Sequence, residues 1–356
     1  MFVFLFYEGV PLEAERIENE EQLERELSRP RPETVEQLRS IEGDFLVLGA
    51  GGKMGPTLCR LLKNACTAGG GERRIYGVSR FSDHEARDRL ESAGIRTIQA
   101  DLIDRSAYAA LPDAANIFFL AGMKFGASVQ EHLTWAMNTY LPALAAERWS
   151  GPAVRTVVFS TGNVYPFVDA GSGGADEQIH PEPLGEYAMS CLGRERIFQH
   201  FSATRGTRTV IIRLNYANEL RYGVLVDLAQ KVLAGRTIDL AMGYVNVIWQ
   251  GDANNYIARS LALASSPASV LNVAGPEILS ERNLAERIAG MAGTTARFTG
   301  REQPTALLSD SSRCLELFGP PAVSLDTMLS LVVDWVQRGE KTLQKPTKYQ
   351  VRDGKF

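Results

Sequence analysis

The chain has 356 residues, enough for one large or two modest domains around a sizeable core. Its 45% apolar and 22% charged fractions are those of an ordinary globular protein and exclude disordered and membrane-embedded classes. A net charge of −4 argues against a general nucleic-acid or acidic-membrane binder. The cysteines, Cys59, Cys66, Cys191 and Cys314, are scattered, with no C-x-x-C and no ligand-like pairing with histidine. That favours a reduced, cytoplasmic compartment and no metal site.

Taken in order, residues 1–7 are apolar but lack the basic start and the length of a secretory signal, so they read as an edge strand or a packed arm. No other run is long enough to span a bilayer. Residues 8–43 form an acidic helical extension, with a glutamate-rich helix over 13–27 that Pro30-Arg31-Pro32 breaks. A second short helix spans 32–41, where Val35, Leu38 and Ile41 recur at helical spacing. The extension reads as a solvated element packed on the domain or on a partner subunit.

From residue 44 strands and helices alternate. Strands are expected at 45–48, 74–78, 97–100, 117–121, 156–160 and 209–214, and helices at 56–66, 129–146 and 186–201. Apolar, β-branched strands alternating with helices mean a parallel sheet covered on both faces, with binding at the carboxyl ends of its strands. The first strand runs into Gly49, Gly51, Gly52 and Gly55, and a helix follows from Pro56. Such a turn aims backbone N–H groups and a helix dipole at an anion. Gly49, Gly52 and Gly55 are spaced G-x-x-G-x-x-G; the stricter G-x-G-x-x-G fails because Met54 holds its last position. Beyond residue 214 the rhythm becomes irregular. Helices are expected at 221–234, 254–264, 280–291 and 325–336, and strands at 244–249 and 270–273. Residues 44–214 with a later strand near 270–275 thus form one domain, 215–340 a smaller interleaved lobe, and 341–356 a basic surface tail.

Further segments complete a pattern. Asp101-Leu102-Ile103-Asp104 follows the third strand, and Leu120-Ala121-Gly122-Met123-Lys124 ends the fourth, with Asn138 in the next helix. Phe159 to Tyr165 ends the fifth strand, and Tyr187 opens a helix 26 residues after Thr161. In this order the segments resemble the extended short-chain dehydrogenase/reductase family, the NAD-dependent epimerases and dehydratases, over roughly residues 44–340. Ala121-Gly122-Met123-Lys124 and Ser128-Val129-Gln130 are locally similar to UDP-galactose 4-epimerase. The resemblance implies a Rossmann-like doubly wound α/β sheet with a C-terminal substrate lobe. It implies a cofactor site built from Gly49, Gly51, Gly52, Lys53, Met54, Gly55, Ser79, Arg80, Asp101, Leu102, Leu120, Ala121, Gly122, Lys124, Asn138 and Tyr187. It also implies hydride transfer between a sugar carbon and nicotinamide, and a homodimer formed through the long helices after strands four and five.

In this family a tyrosine takes the hydroxyl proton, a nearby threonine orients the substrate oxygen, and a lysine four residues after the tyrosine favours the phenolate. Tyr187 and Thr161 take the first two roles. The third position holds Cys191, and a thiol cannot replace an ammonium. Three readings follow: Lys124 or Arg194 supplies the charge, the protein binds dinucleotide as a sensor with little chemistry, or Cys191 acts as a nucleophile or redox thiol. Gly162 and Asn163, where dehydratases carry an acid and a base, disfavour dehydration. Ser79-Arg80 at the end of the second strand has no carboxylate for a ribose 2′-OH and offers a guanidinium, which favours NADP over NAD. Asn163, Asn215, Tyr216, Arg221, Trp249 and Gln250 are candidate contacts for a sugar, a sugar acid or a nucleotide sugar.

Overall fold

The computed structural model describes residues 16–355 apart from Phe125, Ala127 and Ser128. The arm at 1–7 and part of the Ser128-Val129-Gln130 segment therefore lie outside the described residues. Seven parallel strands form the central sheet: β1 (Phe45–Leu48), β2 (Ile75–Ser79), β3 (Arg96–Gln99), β4 (Asn116–Phe119), β5 (Arg155–Thr161), β6 (Arg208–Leu214) and β7 (Ser269–Val273). Their order, β7-β6-β5-β4-β1-β2-β3, is a Rossmann-like doubly wound arrangement whose direction reverses between β1 and β4. In register, Val47 faces Gly77 on one side and Phe118 on the other.

Among the described residues twelve α-helices accompany the sheet: α1 (Glu20–Leu27), α2 (Pro32–Arg39), α3 (Gly55–Ala68), α4 (His84–Ser92), α5 (Glu131–Trp135), α6 (Leu141–Arg148), α7 (Gly185–Arg205), α8 (Val224–Leu233), α9 (Gln250–Ser260), α10 (Glu281–Ala292), α11 (Ser312–Phe318) and α12 (Leu325–Gln337). Side chains alternate across a strand, and the two faces are filled accordingly. Phe45 and Val47 pack in one core with α3, α9 and α11, whereas Leu46 and Leu48 pack in another with α6 and α7. A third core joins α8, α10 and α12 to Leu23 and Leu27 of α1 and to Trp249. The second lobe is interleaved, because α9 and β7 return to the sheet between α8 and α10.

Three departures from the sequence reading have local causes. The helix over 129–146 is interrupted by a π-turn at Ala136–Tyr140, which carries Asn138. The strand expected over 244–249 splits in two: Tyr244–Val245 pairs with Leu279–Ser280, and Ile248–Trp249 with Ala217–Asn218. The tail beyond residue 341 is not simply a surface segment. Thr347 and Tyr349 are buried, Thr347 donates to Asp227 Oδ2 from both N (2.8 Å) and Oγ1 (2.6 Å), and the Tyr349 hydroxyl bonds Glu281.

The N-terminal extension is equally integral. Asn255 of α9 accepts hydrogen bonds from Arg31 N (2.9 Å) and Thr34 Oγ1 (2.7 Å), and donates to Arg29 O (3.0 Å). Arg31 also forms an ion pair with buried Asp252. Asn255→Ala leaves these groups unsatisfied in a buried setting, so it should lower the free energy of unfolding by about 1–3 kcal/mol. Urea unfolding checks this; a loss within experimental error would mean that the extension is held by apolar contacts alone.

Candidate functional site

The carboxyl ends of the strands open into a continuous trough. Its distal half is lined by Gly51, Ser79, Arg80, Phe81, Asp83, Leu102 and Ala121; its proximal half by Lys53, Met54, Gly55, Lys124, Thr161, Asn163, Tyr187, Asn215 and Tyr216. Gly49, Gly52, Leu120 and Gly122 belong to both halves, so the glycine turn bridges them. Two of its glycines are required sterically. Gly49 has φ +94°, and a Cβ there would stand 2.7 Å from Ala121 N. At Gly55 a Cβ would stand 2.5 Å from Ala50 O, which any side chain would prevent and which lets α3 start directly beneath the turn. The cradle therefore fits a dinucleotide pyrophosphate.

Asp101 is exposed, accepts from Ile103 N at 3.3 Å and is not among the trough residues; Leu102 is. Asp83, which caps α4 by accepting from Ala86 N, joins Arg80 at the distal end. The sequence reading missed this carboxylate because it follows the strand by several residues. Asn138 is buried behind the trough: it accepts from Met123 N (2.9 Å) and Arg194 (2.6 Å) and donates to Met123 O (2.9 Å) and Ser190 Oγ (3.0 Å). It positions the β4 end without lining the site.

At the proximal end Tyr187 and Thr161 line the trough together, and Tyr187 packs against Cys191. Thr161 Oγ1 in turn contacts Asn163 Oδ1 at 2.8 Å. Burial pushes the Tyr187 phenol well above its ordinary value of 10; Cys191 adds to the rise, while Arg194 and Thr161 oppose it. Cys191 is itself buried, and burial raises its thiol, so it rests as a neutral group. Arg194 and Lys124 oppose that rise, but the burial is unlike the accessible surroundings of a reactive cysteine. Lys124 Nζ stands 5.8 Å from the centre of the Tyr187 ring, over its face. Arg194 is buried and committed to Phe159 O (2.8 Å) and Asn138, with Gly122 leaving room for it: a Cβ there would lie 2.2 Å from the guanidinium. Two cations thus flank Tyr187 where the helix carries cysteine.

Asn163, Asn215 and Tyr216 line the trough. Arg221, Trp249 and Gln250, expected beside them, do not. Arg221 pairs with Glu24 (2.7 Å) and Glu219 (3.1 Å). Trp249 is buried in the second lobe's core, and Gln250 is buried and donates to Thr57 Oγ1 at 3.1 Å. Tyr222 and Thr347 line the site instead; both come from irregular segments with no motif to mark them.

Behind the site lies a buried ion pair. Arg213 Nε and NH2 donate to Glu195 Oε1 (3.0 Å) and Oε2 (2.8 Å), and Ser160 Oγ donates to the same carboxylate at 2.6 Å. Arg213 also donates to Tyr165 OH, which donates to Asn272 Oδ1 of β7.

The comparisons with known proteins fit this arrangement. A model of the NAD dependent epimerase/dehydratase family matches residues 45–233, more than half of the chain. The chain belongs to that family, a family of enzymes. No curated protein matches it by sequence. Among solved structures it is similar to UDP-glucuronic acid 4-epimerase from Bacillus cereus in complex with UDP-glucuronic acid and NAD (TM-score 0.69, 19% identity, covering 83% of this chain and 99% of that one). It is also similar to UDP-glucose 4-epimerase from Thermus thermophilus with NAD (TM-score 0.67, 19% identity, 83% and 99% covered) and to MoeE5 with UDP-glucose and NAD (0.68, 20%, 83% and 99%). These likenesses concern the fold. Among the described residues no helix is long and apolar enough to cross a membrane, and no cluster of three or more metal-ligating side chains occurs.

Removing one partner of a buried, hydrogen-bonded ion pair costs about 3–5 kcal/mol because the other charge is stranded. Glu195→Ala should therefore lower unfolding stability by that amount in urea titrations, whereas a loss under about 1 kcal/mol would mean that Arg213 finds solvent.

Proposed function

We propose that the protein is an NAD(P)-dependent oxidoreductase or epimerase that acts on a sugar, sugar acid or nucleotide sugar through a keto intermediate. The observation that carries this reading is that Tyr187 and Thr161 together line the proximal end of a trough whose glycine turn fits a pyrophosphate. Gly49, Gly51, Gly52, Gly55, Leu120 and Gly122 would hold the dinucleotide, with Ser79, Arg80 and Leu102 at its distal end. The bound nicotinamide supplies the hydride acceptor and donor.

The chain's own residues then handle the proton. Thr161 fixes a substrate hydroxyl against Tyr187, and Tyr187 exchanges the hydroxyl proton as hydride leaves or returns to the carbon. A phenol this buried needs a cation to hold its anionic form. Lys124, over the ring, and Arg194, seven residues along α7, replace the missing lysine. Gly162 and Asn163 offer no proton-transfer pair for elimination, which favours redox or epimerisation over dehydration. Arg80 and Asp83 pull the cofactor choice in opposite directions: the guanidinium suits a 2′-phosphate, the carboxylate a free ribose hydroxyl. Trp135, Tyr140 and Met189, 37%, 47% and 36% exposed on the α5–α6 and α7 helices, suit a homodimer contact.

A second reading is favoured by one observation. Cys191 carries no positive charge, and once ionised it repels the phenolate and so raises rather than lowers the Tyr187 pKa, as a dinucleotide sensor with little turnover could tolerate. Incubating the protein with NAD⁺ or NADP⁺ and UDP-sugars, with reduced nicotinamide followed by absorbance and sugars by chromatography, separates the two. Tyr187→Phe should cut turnover by at least about a hundredfold while denatured protein still releases dinucleotide. Lys124→Met should abolish turnover with the fold intact, and unchanged rates in either variant would remove that residue from the mechanism. Dinucleotide release without any conversion by the wild type would support the sensor.

A further inference from the structure

The proximal half of the trough carries an excess of positive charge. Lys53, Lys124 and Arg194 line it, and no aspartate or glutamate is among its described lining residues. Arg194 is committed to Phe159 O and Asn138. Lys53 belongs to the glycine turn but reaches across the cleft: its amine donates to Ala217 O at 2.6 Å and stands 4.3 Å from the centre of the Tyr222 ring. Lys124 stands over the ring of Tyr187. The nearest carboxylates are already engaged, Glu219 with Arg221 at 3.1 Å and Asp227 with Thr347.

Burying two amines in one cleft is costly. Burial lowers Lys53 to about 7 and Lys124 to about 8, and Lys124 repels Lys53 as well. Lys53 faces Glu219, Arg221 and Tyr222; Lys124 faces Tyr187, Cys191, Asp227 and Lys348. An anion placed between the two amines would relieve both the desolvation and the repulsion.

We propose that Lys53 and Lys124 form an anion subsite that selects a sugar bearing a carboxylate on the reacting ring. The inference rests on the reaction proposed above. It favours a ring carboxylate over a diphosphate because the Lys124 amine stands over the ring face of Tyr187, the residue placed beside the substrate hydroxyl above, so an anion it contacts lies at the reacting end of the trough. Lys53 points to the substrate lobe rather than back along the turn, which assigns its charge to substrate.

UDP-glucuronate and UDP-glucose share the diphosphate and differ at the carboxylate, so they make the test. In calorimetry on protein loaded with NAD⁺, the wild type should bind UDP-glucuronate about tenfold more tightly, the scale of one charge-assisted contact. Lys53→Met should erase that preference while leaving the affinities for UDP-glucose and for NAD⁺ within about twofold. At pH 8, UDP-glucuronate binding should take up protons, seen as heats that differ between buffers, because an anion raises both lysine pKa values; its affinity should fall as pH rises through 7 to 8. Equal losses for both nucleotide sugars would assign Lys53 to the diphosphate and overturn the proposal. Weakened NAD⁺ binding would assign it to the cofactor and also overturn it, as would binding of UDP-glucuronate without proton uptake. Failure of both sugars to bind while NAD⁺ is retained would sink the subsite alone. Failure to retain any dinucleotide would sink the reaction beneath it.

Discussion

The site depends on the buried pair of Glu195 and Arg213. The carboxylate sits on α7 and the guanidinium on β6, and the pair is completed by Ser160 of β5, Tyr165 and Asn272 of β7. Asn272 extends it to the carbonyls of Ala175 and Asp310. Burying two charges is costly, and the cost is offset only because nearly every lone pair and N–H finds a partner. The geometric consequence is that α7 has one docking position against the sheet ends. Tyr187, two turns earlier on the same helix, therefore meets Thr161 at a fixed place.

Around that anchor the chain's two termini close the structure. The extension ties α1 and α2 to α9 through Asn255 and the Arg31–Asp252 pair. The tail brings Thr347 to the trough, and Gly354 lies against Gly185 so closely that a Cβ on Gly185 would stand 2.2 Å from Gly354 O. Gly185 opens α7, so the tail bears directly on the helix that carries Tyr187. Segments that look peripheral in sequence thus help to shape the site.

Cys191, four residues after Tyr187, brings no positive charge, yet the site is not short of cations. Cys191 fills space as a neutral thiol, and the cations come from elsewhere: Lys124 from the end of β4, Arg194 from deeper in α7, Lys53 from the glycine turn. Arg194 is held by Asn138, whose place in a π-turn aims its amide at both Met123 and the guanidinium. Such turns recur at functional sites because one extra residue re-aims a side chain.

Local patterning in the sequence determined the β/α alternation and the glycine turn with its sterically required Gly49 and Gly55, because strand periodicity and turn chemistry are encoded by neighbours in the chain. Thr161 and Tyr187 are expected from the resemblance to the family. The same logic failed for Arg221, Trp249 and Gln250, whose polarity suggested a ligand but whose partners are Glu24, an apolar core and Thr57. It also gave no sign of Tyr222 or Thr347 in the trough, or of Asp83 beside Arg80. Only the tertiary structure decided these, because which side chain faces a cleft depends on contacts between segments hundreds of residues apart. The charge around Tyr187 is of this second kind: no four-residue motif supplies it, and the packed fold does.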